Sequence, residues 1–289
     1  MALDVFQFFI DNPKYNKLVG NDFMFVEYKC PLEVEQFKLW TDTNFLTYVI
    51  SGKKDWTSLN EFKTIEQGDV LFLKKGVYNT KQYFDVDYCV LLFFITDDFI
   101  RNFIKQQVGY KKTNLTYPAD KQIFSVDPDP SLKSLFLTIF NYLQKGEEIP
   151  RELVEMKFKE LLYTIILNPA NNELVNHFHS LQNSFKTSLN EIMLQNFHCD
   201  LSLNEYARLS GRSLSSFKRD FKQSFNETPH KWIVNKRLNY AKSLLRNPEL
   251  NINDICFEAG FKNTSHFNNS FKEKFQLPPN QFRKTHYNL

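Results

Sequence analysis

Two clusters of polar and cationic side chains stand in the last third of this 289-residue chain: Ser215, Ser216, Lys218, Arg219 and Lys222, then Thr264, Ser265, His266, Asn268, Asn269 and Lys272. Their types suit a nucleic-acid duplex. Arg and Lys can donate to guanine O6 and N7, and Asn can pair with adenine N6 and N7. Hydroxyls and lysines suit phosphate oxygens, contacts that set position rather than base preference. Any one of these residues, taken alone, reads as ordinary solvated surface; the weight comes from repetition. FKRDFKQSFNETP (217–229) aligns with FNNSFKEKFQLPP (267–279) at an offset of fifty, placing Phe217, Phe221, Lys222, Phe225 and Pro229 on Phe267, Phe271, Lys272, Phe275 and Pro279. Upstream, LNEYA (203–207) matches INDIC (252–256) and Gly211 matches Gly260, now at forty-nine.

The elements that must position these clusters follow from the same spacing. Each copy reads as a short helix (203–209; 252–258) opening after an N-cap candidate, Ser202 or Asn251. A glycine suited to a left-handed turn follows. The next helix sets three phenylalanines at four-residue intervals, which buries one aromatic stripe and leaves the opposite face polar. The phenylalanines are core; the exposed face carries the information. Between the copies, Thr228 and Pro229 suit a helix start, and HKWIVNKRLNYAKSLLR (230–246) runs helically until Asn247–Pro248. A rod of about 25 Å can hold two recognition helices in major-groove segments about 34 Å apart. Trp232, Ile233, Leu238, Ala241, Leu244 and Leu245 are expected to pack that rod against both copies.

Residues 185–285 resemble the AraC/XylS family of transcription regulators. The resemblance rests on S-x-x-x-F-x-x-x-F-K (213–222), P-x-x-W-x-x-x-x-R-x-x-x-A-x-x-L-L (229–245), I-x-x-I-x-x-x-x-G-F (252–261), S-x-F-x-x-x-F-K (265–272) and P-x-x-F-R (279–283). It implies two helix-turn-helix units, about 201–226 and 250–276, in a DNA-binding domain spanning 176–289. It also implies base contacts from Ser215, Lys218, Arg219, Thr264, Ser265, His266 and Asn269. Phosphate contacts are expected from Ser213, Ser216, Lys222, Asn268 and Lys272. Expected partners are double-stranded DNA and RNA polymerase, and the usual outcome in this family is activation. Asn226 and Gln276 stand where many members carry Gly after the recognition helix. Asn tolerates the left-handed conformation, and Gln adopts it at greater cost.

Charge distribution agrees. Residues 190–289 carry 15 Lys/Arg against 9 Asp/Glu, a net of +6, whereas residues 1–189 carry 21 against 24. Cys30, Cys89, Cys199 and Cys256 are scattered without CxxC or metal spacing, which disfavours a disulfide framework or zinc site. The start, MALDVFQFFIDNPKY, lacks a basic leader region and is interrupted by Asp11 and Pro13, and the longest apolar run, Cys89 to Ile95, is far short of a bilayer span. A cytoplasmic protein with no membrane partner is expected.

Residues 1–175 read as a separate sensor and dimerisation domain. FMFVEYKC (23–30), NFLTYVISG (44–52), DVLFLKKG (69–76) and YCVLLFFI (88–95) are short, aromatic-rich and bounded by turn residues, which predicts an antiparallel β-barrel. Helices are expected at 97–107, 131–145, 150–168 and around 175–197. The whole is thus α+β: a barrel with flanking helices, then an all-α domain. GDVLFLKKGVYN (68–79) resembles the cupin motif, but Asn79 replaces its terminal histidine, Lys74 its proline, and all six histidines lie beyond residue 176. With no imidazole ligand, nucleophile elbow, P-loop or dinucleotide fingerprint, no catalytic residue, metal or cofactor is expected. An enzyme barrel tethered to DNA is the weakest alternative. The effector is open between a small molecule and a docking protein such as an anti-activator or co-regulator. Lys53, Lys54, Lys74 and Lys75 could meet an acidic ligand or simply line a solvated rim. Helices 131–168 offer apolar faces for a homodimer or for their own barrel.

Overall fold

Successive apolar residues on a strand point to opposite faces, and in the N-terminal part of this chain both faces find cover. The computed structural model describes every residue except 1, 30–33, 85, 107–120, 146–148, 184–187 and 288–289, so Cys30 lies outside the described residues. The chain divides into two compact units, 1–187 and 188–289.

The first unit runs β1 (Leu3–Asp4), α1 (Val5–Asp11), β2 (Lys17–Val19), β3 (Phe23–Lys29), β4 (Gln36–Thr41), β5 (Asn44–Ser51), β6 (Lys53–Thr57), β7 (Phe62–Glu66), β8 (Val70–Leu73), β9 (Gly76–Gln82) and β10 (Cys89–Ile95). Then come α2 (Asp97–Gln106), β11 (Ile123–Val126), α3 (Pro130–Lys145), α4 (Arg151–Leu167) and α5 (Asn172–Ser180). One sheet has the order β1-β4-β9-β6-β7, the other β11-β8-β5-β10-β3-β2. Every pairing is antiparallel except β1 with β4. Met24, Val26, Phe45, Leu71, Leu92 and Phe94 of the second sheet share a core with Leu39, Trp56, Ile65 and Tyr78 of the first. Their strand neighbours Phe23, Phe25, Leu46, Phe72, Leu91 and Phe93 point the other way and pack under α2–α5. The Phe25 and Phe158 rings stack at 3.9 Å, and those of Tyr48 and Phe136 at 4.4 Å.

This is the sheet-rich, α+β arrangement expected, with three differences. Among the described residues the strands form two open sheets rather than one closed barrel. Closure depends on which edge strands meet, and alternation within a strand carries no such information. The expected long helix around 175–197 is instead two helices, with α5 resting on α2 and β11 within the first unit. The lysine rim is also corrected: Lys54 and Lys74 are buried, at 2% and 6% exposure, and only Lys53 is exposed. Lys54 lies over the rings of Phe37, Trp56 and Tyr88 at 4.6, 5.6 and 4.8 Å, and Lys75 pairs with Asp97 at 2.6 Å. A lysine can be placed inside if aromatic faces or a carboxylate meet its charge.

The second unit is all-α: α6 (Leu189–Asn196), α7 (Leu203–Leu209), α8 (Leu214–Phe225), α9 (Pro229–Leu244), α10 (Ile252–Glu258), α11 (Thr264–Phe275) and α12 (Pro279–Tyr287). Among the described residues no helix is long and apolar enough to cross a membrane.

Candidate nucleic-acid interface

Each reading unit is assembled by local chemistry. Ser202 accepts from the Glu205 amide while Glu205 reaches back to the Ser202 amide, a reciprocal cap that starts α7; Asn251 accepts from the Asp254 amide and starts α10. Gly211 (φ 65°) and Gly260 (φ 93°) make the left-handed turn into the next helix. Ser213 caps α8 through the Ser216 amide, and Asn263 caps α11 through the Ser265 and His266 amides. Both of these helices contain twelve residues and end on a left-handed residue, Asn226 (φ 55°) or Gln276 (φ 63°). The two departures from glycine therefore still adopt the glycine conformation.

The aromatic stripes face inward. Phe217, Phe221, Phe267 and Phe271 are fully buried. Trp232 of α9 packs on Phe221 and Phe225 at 6.1 and 5.3 Å, and Phe282 of α12 packs on Phe271 and Phe275 at 5.6 and 5.7 Å. Trp232 and Phe282 are themselves fifty residues apart, so the repeat includes a third helix in each unit. The second half of α9 supplies Leu238 and Ala241, and its C-cap supplies Leu245, to the core of the second unit. One continuous helix of sixteen residues, about 24 Å long, is thus built into both cores. Arg237, midway along it, donates to the Phe197 and Cys199 carbonyls at 2.7 and 2.7 Å. That tie clamps the segment between α6 and α7 against the rod.

The opposite helix faces are polar. Ser213, Ser215, Lys218, Arg219 and Lys222 are exposed and Ser216 half-buried on the first unit. Ser265, His266, Asn268, Asn269 and Lys272 are exposed and Thr264 half-buried on the second. The offset of fifty superposes Ser215 on Ser265, Ser216 on His266, Lys218 on Asn268, Arg219 on Asn269 and Lys222 on Lys272. Every site residue expected from sequence therefore lies on a recognition helix or at its cap. A counter-charge went unnoticed in the sequence: Asp220 lies 3.3 Å from Arg219 and 3.2 Å from Arg212, on the side of α8 between stripe and reading face. Residues i and i+1 are rarely suspected of pairing on a helix, and here the long Arg219 side chain folds back. The Asn263 cap was also missed, although Asn before a Thr-Ser start is a readable capping signal.

The profile for a helix-turn-helix domain matches residues 206–285, and that for the ExsA N-terminal regulatory domain matches residues 44–177. The chain is 26% identical over 246 residues to the virulence regulon transcriptional activator VirF of Yersinia enterocolitica, covering 83% of this chain and 89% of that one. It is 27% identical over 248 residues to the thermoregulatory protein LcrF of Yersinia pestis, with the same coverage. The HTH-type regulator ExsA of Pseudomonas aeruginosa is 31% identical over 137 residues, 47% of this chain and 49% of that one. Over both of its parts the chain is similar to the AraC/XylS family of transcription regulators. It is a DNA-binding transcription regulator and not an enzyme. Among the described residues no three His, Cys, Asp or Glu side chains are grouped as metal ligands.

Proposed function

We propose that this chain is a sequence-specific transcriptional activator that reads two adjacent major-groove segments per monomer and is controlled through its N-terminal unit. The observation that carries the reading is the pair of matching polar helix faces, on units joined by a helix common to both cores. Ser215, Lys218 and Arg219 read bases under one half-site, and Thr264, Ser265, His266 and Asn269 under the other. Ser213, Ser216, Lys222, Asn268 and Lys272 hold phosphates. RNA polymerase is the recipient of the activating signal, and the cytoplasm is the compartment. The test uses a duplex enriched from a random library by the protein itself. Arg219→Ala should weaken it by about 1–3 kcal/mol and relax base choice under one half of the site, and Asn269→Ala under the other. Unchanged affinity and base preference in both variants would refute the residue assignment.

Control by a protein partner is favoured over a metabolite held between the sheets. The cavity there, lined by Val5, Phe9, Leu39, Trp56 and Leu92, measures about 30 Å³. That admits a water or two, whereas small-molecule sites run to roughly 300–1,000 Å³. A small-molecule fraction of cell extract that raised the melting temperature would contradict this reading. Homodimerisation is assigned to α4 and its neighbour α3. Met156, Tyr163 and Leu167 share one face of α4, and with Leu137 of α3 they are 63%, 41%, 64% and 58% exposed.

A further inference from the structure

A groove of about 610 Å³ opens in the C-terminal unit where the Ser202 end of α7, the first turns of α9 and the α10–α11 turn come together. Of its lining only Ser265 and His266 have a DNA contact assigned above. Its floor is Ile233 and Arg237, whose guanidinium is fixed by the two carbonyls it holds. Exposed Lys262, His230, Ser265 and His266 form its rim. One carboxylate lines it, Asp200, which Lys262 holds at 2.7 Å. Ser265 and His266 belong to the reading turn of α11, while Ser202 begins the first helix of the other unit. The groove therefore runs from one reading unit to the other; Leu201, Leu203, Val234 and Phe261 give it apolar walls, and among its charged residues Arg237 and Lys262 outnumber Asp200.

We infer that this groove seats the sugar–phosphate strand of the duplex between the two major-groove segments, with Lys262 and His230 as phosphate contacts. The inference rests on the two-segment reading proposed above and adds residues to it. In the complex a phosphate replaces Asp200 as the partner of Lys262. Asp200 thereby weakens binding in a way that does not depend on base sequence, since a carboxylate facing phosphates repels them.

Titrations of the full chain use two probes, the library-enriched duplex and a random-sequence duplex of equal length, from 50 to 200 mM salt. Lys262→Ala should lower affinity for both by the same several-fold factor and reduce the slope of log affinity against log salt by about one. His230→Ala should lower both affinities alike. Asp200→Asn, which breaks the same ion pair as Lys262→Ala, should raise both. Opposite signs separate a phosphate seat from a merely structural ion pair. Parental affinity and slope in Lys262→Ala and His230→Ala, or a loss in Asp200→Asn matching that in Lys262→Ala, would overturn the inference. The two-segment reading would survive that result if Arg219→Ala still relaxed base choice, and would fall if it did not. Melting temperatures check folding, with His230→Gln standing in should the alanine variant not fold.

Discussion

Gly211 and Gly260 occupy equivalent turns, yet replacing each with alanine should have very different consequences. Both have positive φ, 65° and 93°, so either alanine meets left-handed strain of about 1–2 kcal/mol. At Gly211 a Cβ finds nothing within 4 Å, and the strain is the whole cost. At Gly260 it would lie 2.8 Å from the His198 carbonyl carbon, closer still to its oxygen, and 3.0 Å from Arg237 Nε. Backbone cannot rotate aside as a side chain can. Overpacking of this kind adds about 1–3 kcal/mol, for a total of about 2–5 kcal/mol against about 1–2 at Gly211. The displaced segment is the one Arg237 clamps to the rod, so Gly260→Ala should also disturb the spacing of the reading units. Urea unfolding of the C-terminal unit, followed by tryptophan fluorescence of Trp232, measures the stability difference; gel shift on the enriched duplex measures the spacing. Equal destabilisation by the two alanines, or a Gly260→Ala protein with parental affinity, would refute the packing argument.

Two further outcomes concern the N-terminal unit. His177 is buried and stacked on Phe124 at 5.5 Å. Burial first, then Lys74, hold its imidazole down to about 3, with Asp97 opposing them. The unfolded chain takes up this proton near the ordinary histidine value, about 6.5, and the folded one does not, so stability is full above that value and falls as pH drops towards 3. The slope is up to about 1.4 kcal/mol per pH unit; His177→Phe should flatten the urea midpoint between pH 6.5 and 4.5, and an unchanged slope would contradict the assignment. On α4, Met156→Glu and Leu167→Glu together should shift sedimentation from dimer to monomer without lowering the melting temperature; an unaltered sedimentation coefficient would remove α4 from the interface.

Legibility in the sequence followed the range of the interactions. The reading units were readable because their signals are local: phenylalanines every four residues, a glycine at each turn, caps at Ser202 and Asn251, and Pro229 opening the rod. Even the left-handed ends at Asn226 and Gln276 follow from the family pattern. The N-terminal unit was readable as strands then helices, but not as two sheets, because pairings such as β4 with β9 join residues some forty apart. Lys54 looked like surface for the same reason: the Phe37 and Tyr88 rings that meet it come from elsewhere in the chain. Lys262 and His230, both lining the groove, are 32 residues apart in sequence and belong to different units of the repeat. No pattern within either copy pairs them.

Hydroxyl-radical footprinting of the enriched duplex at single-nucleotide resolution tests the central claim most directly. Two helix faces carried by one rod should give two protected clusters on one side of the duplex, centred about 10–10.5 base pairs apart. Lys222→Ala and Lys272→Ala should each thin a different cluster. A single cluster, or two that lie on opposite sides of the helix axis, would contradict the account.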